Sequence, residues 1–63
     1  MLEINKKYFL KIEAGDKILR FTAVIKNIDN EFISFEDKEG DTYNINRNKI
    51  FSYTELNSEG GQR

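Results

Sequence analysis

The chain has 63 residues with no Cys, His or Pro, and ten Lys and Arg stand against eleven Asp and Glu for a net charge of −1. That length supports one small domain with a thin core, and the composition excludes disulfides and the usual Cys/His zinc sites. No apolar run approaches the ~20 residues of a membrane span, and the N-terminus lacks the apolar core of a signal peptide, so the expectation is a cytoplasmic protein with no membrane partner.

Residues 1–5 are too few for a helix of their own. Lys6 to Glu13 reads as a first strand, with Tyr8, Leu10 and Ile12 on one face and Phe9, Lys11 and Glu13 on the other, because strand side chains alternate. Ala14-Gly15-Asp16 turns the chain, with Gly15 as the positive-φ position. Lys17 to Ile28 is long for a strand. Leu19, Phe21, Ala23 and Ile25 share one parity, while Ile18, Val24 and Ile28 share the other. Apolar residues in both phases predict a sharp bend, the device that curls a small barrel.

Asp29-Asn30 marks a tight hairpin, since both residue types tolerate positive φ. Phe32 to Glu36 is the third strand, with Ile33 and Phe35 on one face. Lys38-Glu39-Gly40-Asp41 makes the next turn. Thr42 to Asn46 is the fourth strand, with Tyr43 and Ile45 on one face. The polar run from Asn46 to Lys49 fits one turn of 3₁₀ helix. Ile50 to Leu56 is the fifth strand, and residues 57–63 form a Ser/Gly-rich tail expected to be disordered. No segment has the i, i+3, i+4 pattern of an amphipathic helix.

These elements predict an all-β fold: a small five-stranded antiparallel SH3-like barrel over residues 1–56, with a short 3₁₀ turn before the last strand. The expected core is Leu10, Ile12, Leu19, Phe21, Val24, Ile25, Ile33, Phe35, Tyr43, Ile45, Ile50 and Phe51. The first and last strands are expected to leave free edges. On the fifth strand Phe51, Tyr53 and Leu56 are exposed to pairing, guarded by Glu55 alone, which predicts a homo-oligomer joined there.

Charge is segregated along the chain. Residues 1–26 carry six cations against three anions, and residues 29–41 carry six anions against one lysine. Solvated hairpin tips account for this pattern, and so does a module with one basic and one acidic binding face.

The stretches IKNIDNEFISFED and KEGDTYNINRNKIFSYTEL resemble the Sm-like (Hfq-like) proteins, a group of ring-forming RNA binders. Asp29 matches the Asp of that family's first motif, Phe32 its apolar position, and Ala23 the small residue of the bent strand. Ile33 stands where the family has an RNA-contacting Asn. The second motif falls near Ile45-Asn46-Arg47 and lacks the following Gly. The resemblance spans residues 8–56 and implies the barrel, RNA binding and edge-to-edge assembly.

Catalysis needs a positioned acid, base, nucleophile or metal. The one carboxylate cluster sits at hairpin turns, Ser34, Ser52 and Ser58 have no His to activate them, and no enzyme activity, cofactor or metal is expected. Nucleic-acid binding uses cations along a groove and aromatics for bases. Phe9, Lys11, Arg20, Lys26, Arg47 and Lys49 are the candidates, with Lys6 and Lys7 close by and Tyr8 a further ring. RNA or another single-stranded nucleic acid is one expected partner. The alternative is a protein partner, bound by a small adaptor or inhibitor through Asp29, Glu31, Asp37, Glu39 and Asp41.

Overall fold

The computed structural model describes residues 1–56, so the expected tail at 57–63 lies outside the described residues. The chain forms β1 (Lys7–Ala14), β2 (Lys17–Ile28), β3 (Phe32–Asp37), β4 (Thr42–Asn46), a 3₁₀ turn (Arg47–Lys49) and β5 (Ile50–Glu55). All pairings are antiparallel, in the order β4-β3-β2-β1-β5. This is the expected all-β architecture with the 3₁₀ turn before the last strand. The sheet curls like a barrel but does not close, because β4 and β5 share no ladder. β1 lies between β2 and β5, so the free edges are β4 and β5 and not the first strand.

Two irregularities produce the curl. The β2–β3 register shifts between Ile25 and Asn27, at Lys26, and the β1–β5 register shifts between Lys11 and Ile12, opposite Phe51. The first is the bend that the mixed parity of β2 predicts. It turns Ile28 to the same side as Ile25, so that β2 feeds the core from Phe21 to Ile28.

The core consists of Tyr8, Leu10, Ile12, Ala23, Ile25, Ile33 and Phe35, with Leu2, Phe21, Ile28, Tyr43, Ile45 and Ile50 packed around it. Phe21, Phe35 and Tyr43 form an aromatic cluster with ring centroids 4.9 to 5.2 Å apart. Tyr8 is fully buried, and its hydroxyl accepts from the Glu3 N–H at 2.8 Å and donates to the Met1 carbonyl at 3.2 Å. That bond pair ties down the N-terminal segment. Asn5, at φ 71°, adds a main-chain bond from its N–H to the Ile25 carbonyl.

Three expected core residues lie elsewhere. Leu19 is 42% exposed. It stands opposite Ile12, but the β2–β3 ladder begins only at Ala23, so β3 gives Leu19 no partner. Val24 is half-buried on the outer face, between Lys7 and Glu36. Phe51 is 61% exposed because it is the extra residue of the β5 bulge and is turned off the inner face.

The turns follow their residues. Gly15 and Gly40 take φ of 68° and 90°, which an L side chain rarely adopts. The β2–β3 connection is one residue later than the sequence suggests: Asp29 bonds Phe32, leaving Asn30 and Glu31 as the loop. Neither loop residue uses positive φ. Among the described residues no helix is long and apolar enough to cross a membrane.

Candidate nucleic-acid interface

The two-residue turn at Gly15-Asp16 sets the register of the first hairpin and so places its charges. Ala14 pairs with Lys17, and three residues back Lys11 stands directly opposite Arg20. On the other side of β1, Lys11 faces Ser52 of β5. Phe9 lies one step along the same outer face, between Thr22 and Thr54, and Lys7 one step further, opposite Val24. Lys7, Phe9, Lys11 and Arg20 therefore share one surface, on the side of the sheet away from the core.

Two like charges directly across a strand pair cost stability. Nearby acids often relieve such a pair, but the described residues form only three ion pairs: Lys6–Glu3, Lys6–Glu55 and Lys26–Glu36. None of them reaches Lys7, Lys11 or Arg20. Phe9 and Lys11 are half-buried and Arg20 is exposed. The Phe9 ring thus keeps part of its surface open, flanked by two threonine side chains.

The other candidate cations lie apart from this face. Lys26 sits at the bulge of β2, with its ammonium 3.5 Å from Glu36. Arg47 and Lys49 are in the 3₁₀ turn, which Asn46 caps by accepting the Asn48 N–H. Arg47 braces the β2–β3 loop twice: its N–H bonds the Glu31 carbonyl at 2.8 Å, and Nη1 bonds the Asp29 carbonyl at 3.0 Å. Its side chain also lines a shallow groove with Leu2, Ile33, Ile50, Phe51 and Tyr53. The six sequence candidates fall into three places: Lys26 by itself, Arg47 with Lys49 in the 3₁₀ turn, and Phe9, Lys11 and Arg20 on one face. Lys7 and the hydroxyl residues Thr22, Ser52 and Thr54 complete that surface.

The acidic candidates divide as well. Asp29 and Glu31 sit at one end of β3, and Asp37, Glu39 and Asp41 at the other. Five residues of β3, Phe32 to Glu36, separate them, a span of about 20 Å. Asp37, Glu39 and Asp41 each bring a carboxylate oxygen within 4.8 Å of the others. Asp37 is occupied by the turn itself. Its Oδ1 accepts the N–H groups of Glu39 (2.9 Å) and Asp41 (3.0 Å), and Oδ2 accepts the Tyr43 hydroxyl (3.2 Å). Burial pushes this carboxyl up, but the bonds from Asp41, Glu39, Tyr43 and Gly40 outweigh it and hold it below its ordinary value. Burial, followed by the Asp37 charge, raises the Tyr43 hydroxyl. Asp37 is thus a structural element of the β3–β4 turn.

On β5, Tyr53 stands edge-on to Tyr8, with centroids 5.8 Å apart at 89°. Leu56 follows the strand and is tied back by its N–H to the Lys7 carbonyl. No known protein family, curated protein or solved structure matches the chain.

Proposed function

We infer that the protein is a non-enzymatic binding module for single-stranded nucleic acid, RNA foremost, acting in the cytoplasm through the outer face of β1 and β2. The small curled sheet and the sequence resemblance to Sm-like RNA binders both support this reading. The observation that carries it is the Lys11–Arg20 pair beside Phe9: two cations held opposite each other, with no carboxylate within 4.0 Å among the described residues. Phosphate oxygens relieve that repulsion, and an ammonium beside a guanidinium supplies several donors to them. The open part of the Phe9 ring offers a base a surface, and Thr22 and Thr54 offer hydroxyls to its edge or to the ribose.

Titration of single-stranded RNA against salt tests the reading. Affinity falls log-linearly with salt, with a slope of about −0.7 per phosphate contact on a single strand. Lys11→Glu with Arg20→Glu weakens binding severalfold, whereas Lys38→Glu, at the far hairpin, leaves it nearly unchanged. Equal losses from both changes would reduce the interaction to unspecific attraction and defeat the assignment.

The second reading is a protein-binding adaptor or inhibitor acting through the acidic hairpins. The segregation of charge favours it, and the two acidic groups, about 20 Å apart along β3, fit within one interface of ordinary size.

A further inference from the structure

The free side of β5 can be assigned residue by residue. The Leu56 N–H bonds the Lys7 carbonyl, and main-chain groups point alternately to the two sides of an antiparallel strand. Thr54 and Ser52, opposite Phe9 and Lys11, therefore direct their N–H and C=O groups to β1. Tyr53 and Glu55 direct theirs outward, where no strand of the described residues follows. All of β5 after Ile50 is exposed, with Phe51 at 61% and Tyr53 at 42%. It has no proline and a single charge, Glu55, so it is poorly guarded against pairing. The other edge differs. The Asp37 N–H bonds the Asp41 carbonyl, so Thr42, Asn44 and Asn46 face outward on β4 beside the acidic turn, and Tyr43 and Ile45 are half-buried.

We propose that β5 pairs antiparallel with β5 of a second copy about a two-fold axis beside Thr54, so that the nucleic-acid surface is built from two copies. In this register Tyr53 of each copy exchanges N–H and C=O bonds with Glu55 of the other, and Thr54 faces Thr54. Each Glu55 lies opposite a tyrosine; the register that opposes the two Glu55 side chains sets like charges together and is disfavoured. The interface is self-complementary, and a two-fold axis closes it at a dimer.

The axis runs perpendicular to the local sheet, so both outer faces lie on one side. Lys7, Phe9, Lys11 and Arg20 recur across it, with the two β1 strands three strand spacings apart, about 14 Å. Ser52 and Thr54 of both copies, polar and uncharged, fill the space between. One copy brings three cations outside any ion pair to this face, in a chain whose net charge is −1. Two copies bring six to a single surface. The pairing stands on the edge geometry; the two-copy site rests on the nucleic-acid reading.

Sedimentation of the full chain from low micromolar to millimolar concentration tests the pairing. A reversible monomer–dimer equilibrium is expected. A monomer throughout, or a ring of more than two copies, would overturn it. Amide exchange gives a second readout: Tyr53 and Glu55 gain protection as concentration rises, and constant protection at both refutes the register. Tyr53→Pro removes an outward N–H and leaves the β1 ladder intact, so it yields a folded monomer by circular dichroism. Tyr53→Glu sets carboxylate against the Glu55 carboxylate of the other copy, lies off the nucleic-acid face opposite Leu10 and keeps every main-chain donor, in case the proline variant fails to fold. Dimers that persist in the folded variants would place the contact elsewhere. Polyuridylate then tests the site. The salt slope of the dimeric parent is about twice that of the monomeric variant, and equal slopes would refute the two-copy surface. A parent that dimerises but binds no polyuridylate would overturn the nucleic-acid reading and the two-copy site together, and leave the pairing standing.

Discussion

Phe35 is the residue on which the stability of the domain can be tested most directly. It is fully buried and touches both other rings of the aromatic cluster: Phe21 at 5.2 Å and Tyr43 at 5.1 Å, the latter stacked. Phe35→Ala removes the ring from the centre of β3, where Ile25 of β2 and Tyr43 of β4 flank it and hold the cavity open. The cost for such a site is about 3–5 kcal/mol. A domain of this length has about 3–8 kcal/mol in all, so the variant sits near the edge of folding. Urea denaturation followed by circular dichroism measures the loss. With a slope of about 1 kcal/mol per molar urea, the midpoint falls by about 3 M or disappears into the baseline. Phe35→Leu keeps most of the volume and should lose about 1–1.5 kcal/mol, which separates a cavity effect from a general intolerance of the site. A midpoint for Phe35→Ala within about 0.5 M of the parent would show that the aromatic cluster is not the centre of the core.

Three further outcomes are expected. Asp37 is held below its ordinary value, so its contribution is present above the ordinary carboxyl range and is lost as pH falls through the folded value; Asp37→Asn therefore flattens the acid limb of the stability profile, and identical limbs for parent and variant would refute the role. Tyr43 is raised, so its contribution is present below the ordinary phenol range and is lost as pH rises through the folded value; ultraviolet titration shows a late phenol step that is lost in Tyr43→Phe, and a curve in which the substitution removes no late step would refute it. Tyr8→Phe leaves the Glu3 N–H without its acceptor at a cost of about 1 kcal/mol, and it speeds exchange of the Glu3 amide. An unchanged Glu3 exchange rate would show that the hydroxyl does not anchor the N-terminal segment.

Much of the fold is legible in the residues because its signals are local. Gly15 and Gly40 mark two turns, and the mixed parity of β2 announces its bend. Tyr8 belongs to the core because a short N-terminal segment folds back to satisfy its hydroxyl, a partnership with no sequence pattern. Leu19 has the right parity but lies beyond the reach of β3, so strand length overrides alternation. Phe51 leaves the core through a bulge that carries no glycine to mark it. The candidate site divides the same way. The Lys11–Arg20 pair follows from the Gly15-Asp16 turn, since a two-residue loop fixes every partner along the hairpin. The contribution of β5 to that face depends on the β1–β5 register, which joins residues about 40 apart and which no turn specifies. Lys26 and Arg47 match the composition of a binding surface, yet one is neutralised by Glu36 and the other braces a loop.

The charge balance bears on how a polyanion would meet this surface. A net charge of −1 argues against long-range attraction, and at physiological salt exposed charges act over about 8 Å. What a phosphate would meet is therefore the local field, in which most acids lie on β3 and its two turns and Glu13 shares the outer face of β1 with Lys11. The acids of residues 29–41 sit on β3 and its two turns, while Lys7, Lys11 and Arg20 occupy β1 and the first half of β2. Under the nucleic-acid reading, the acidic turns would repel a strand that approaches from the β3 side, and the β1 face would admit it. Such an arrangement spends little affinity on unspecific contacts and restricts binding to one face. It leaves two cations opposed across a strand pair of an acidic chain, a local cost that a bound anion would lower.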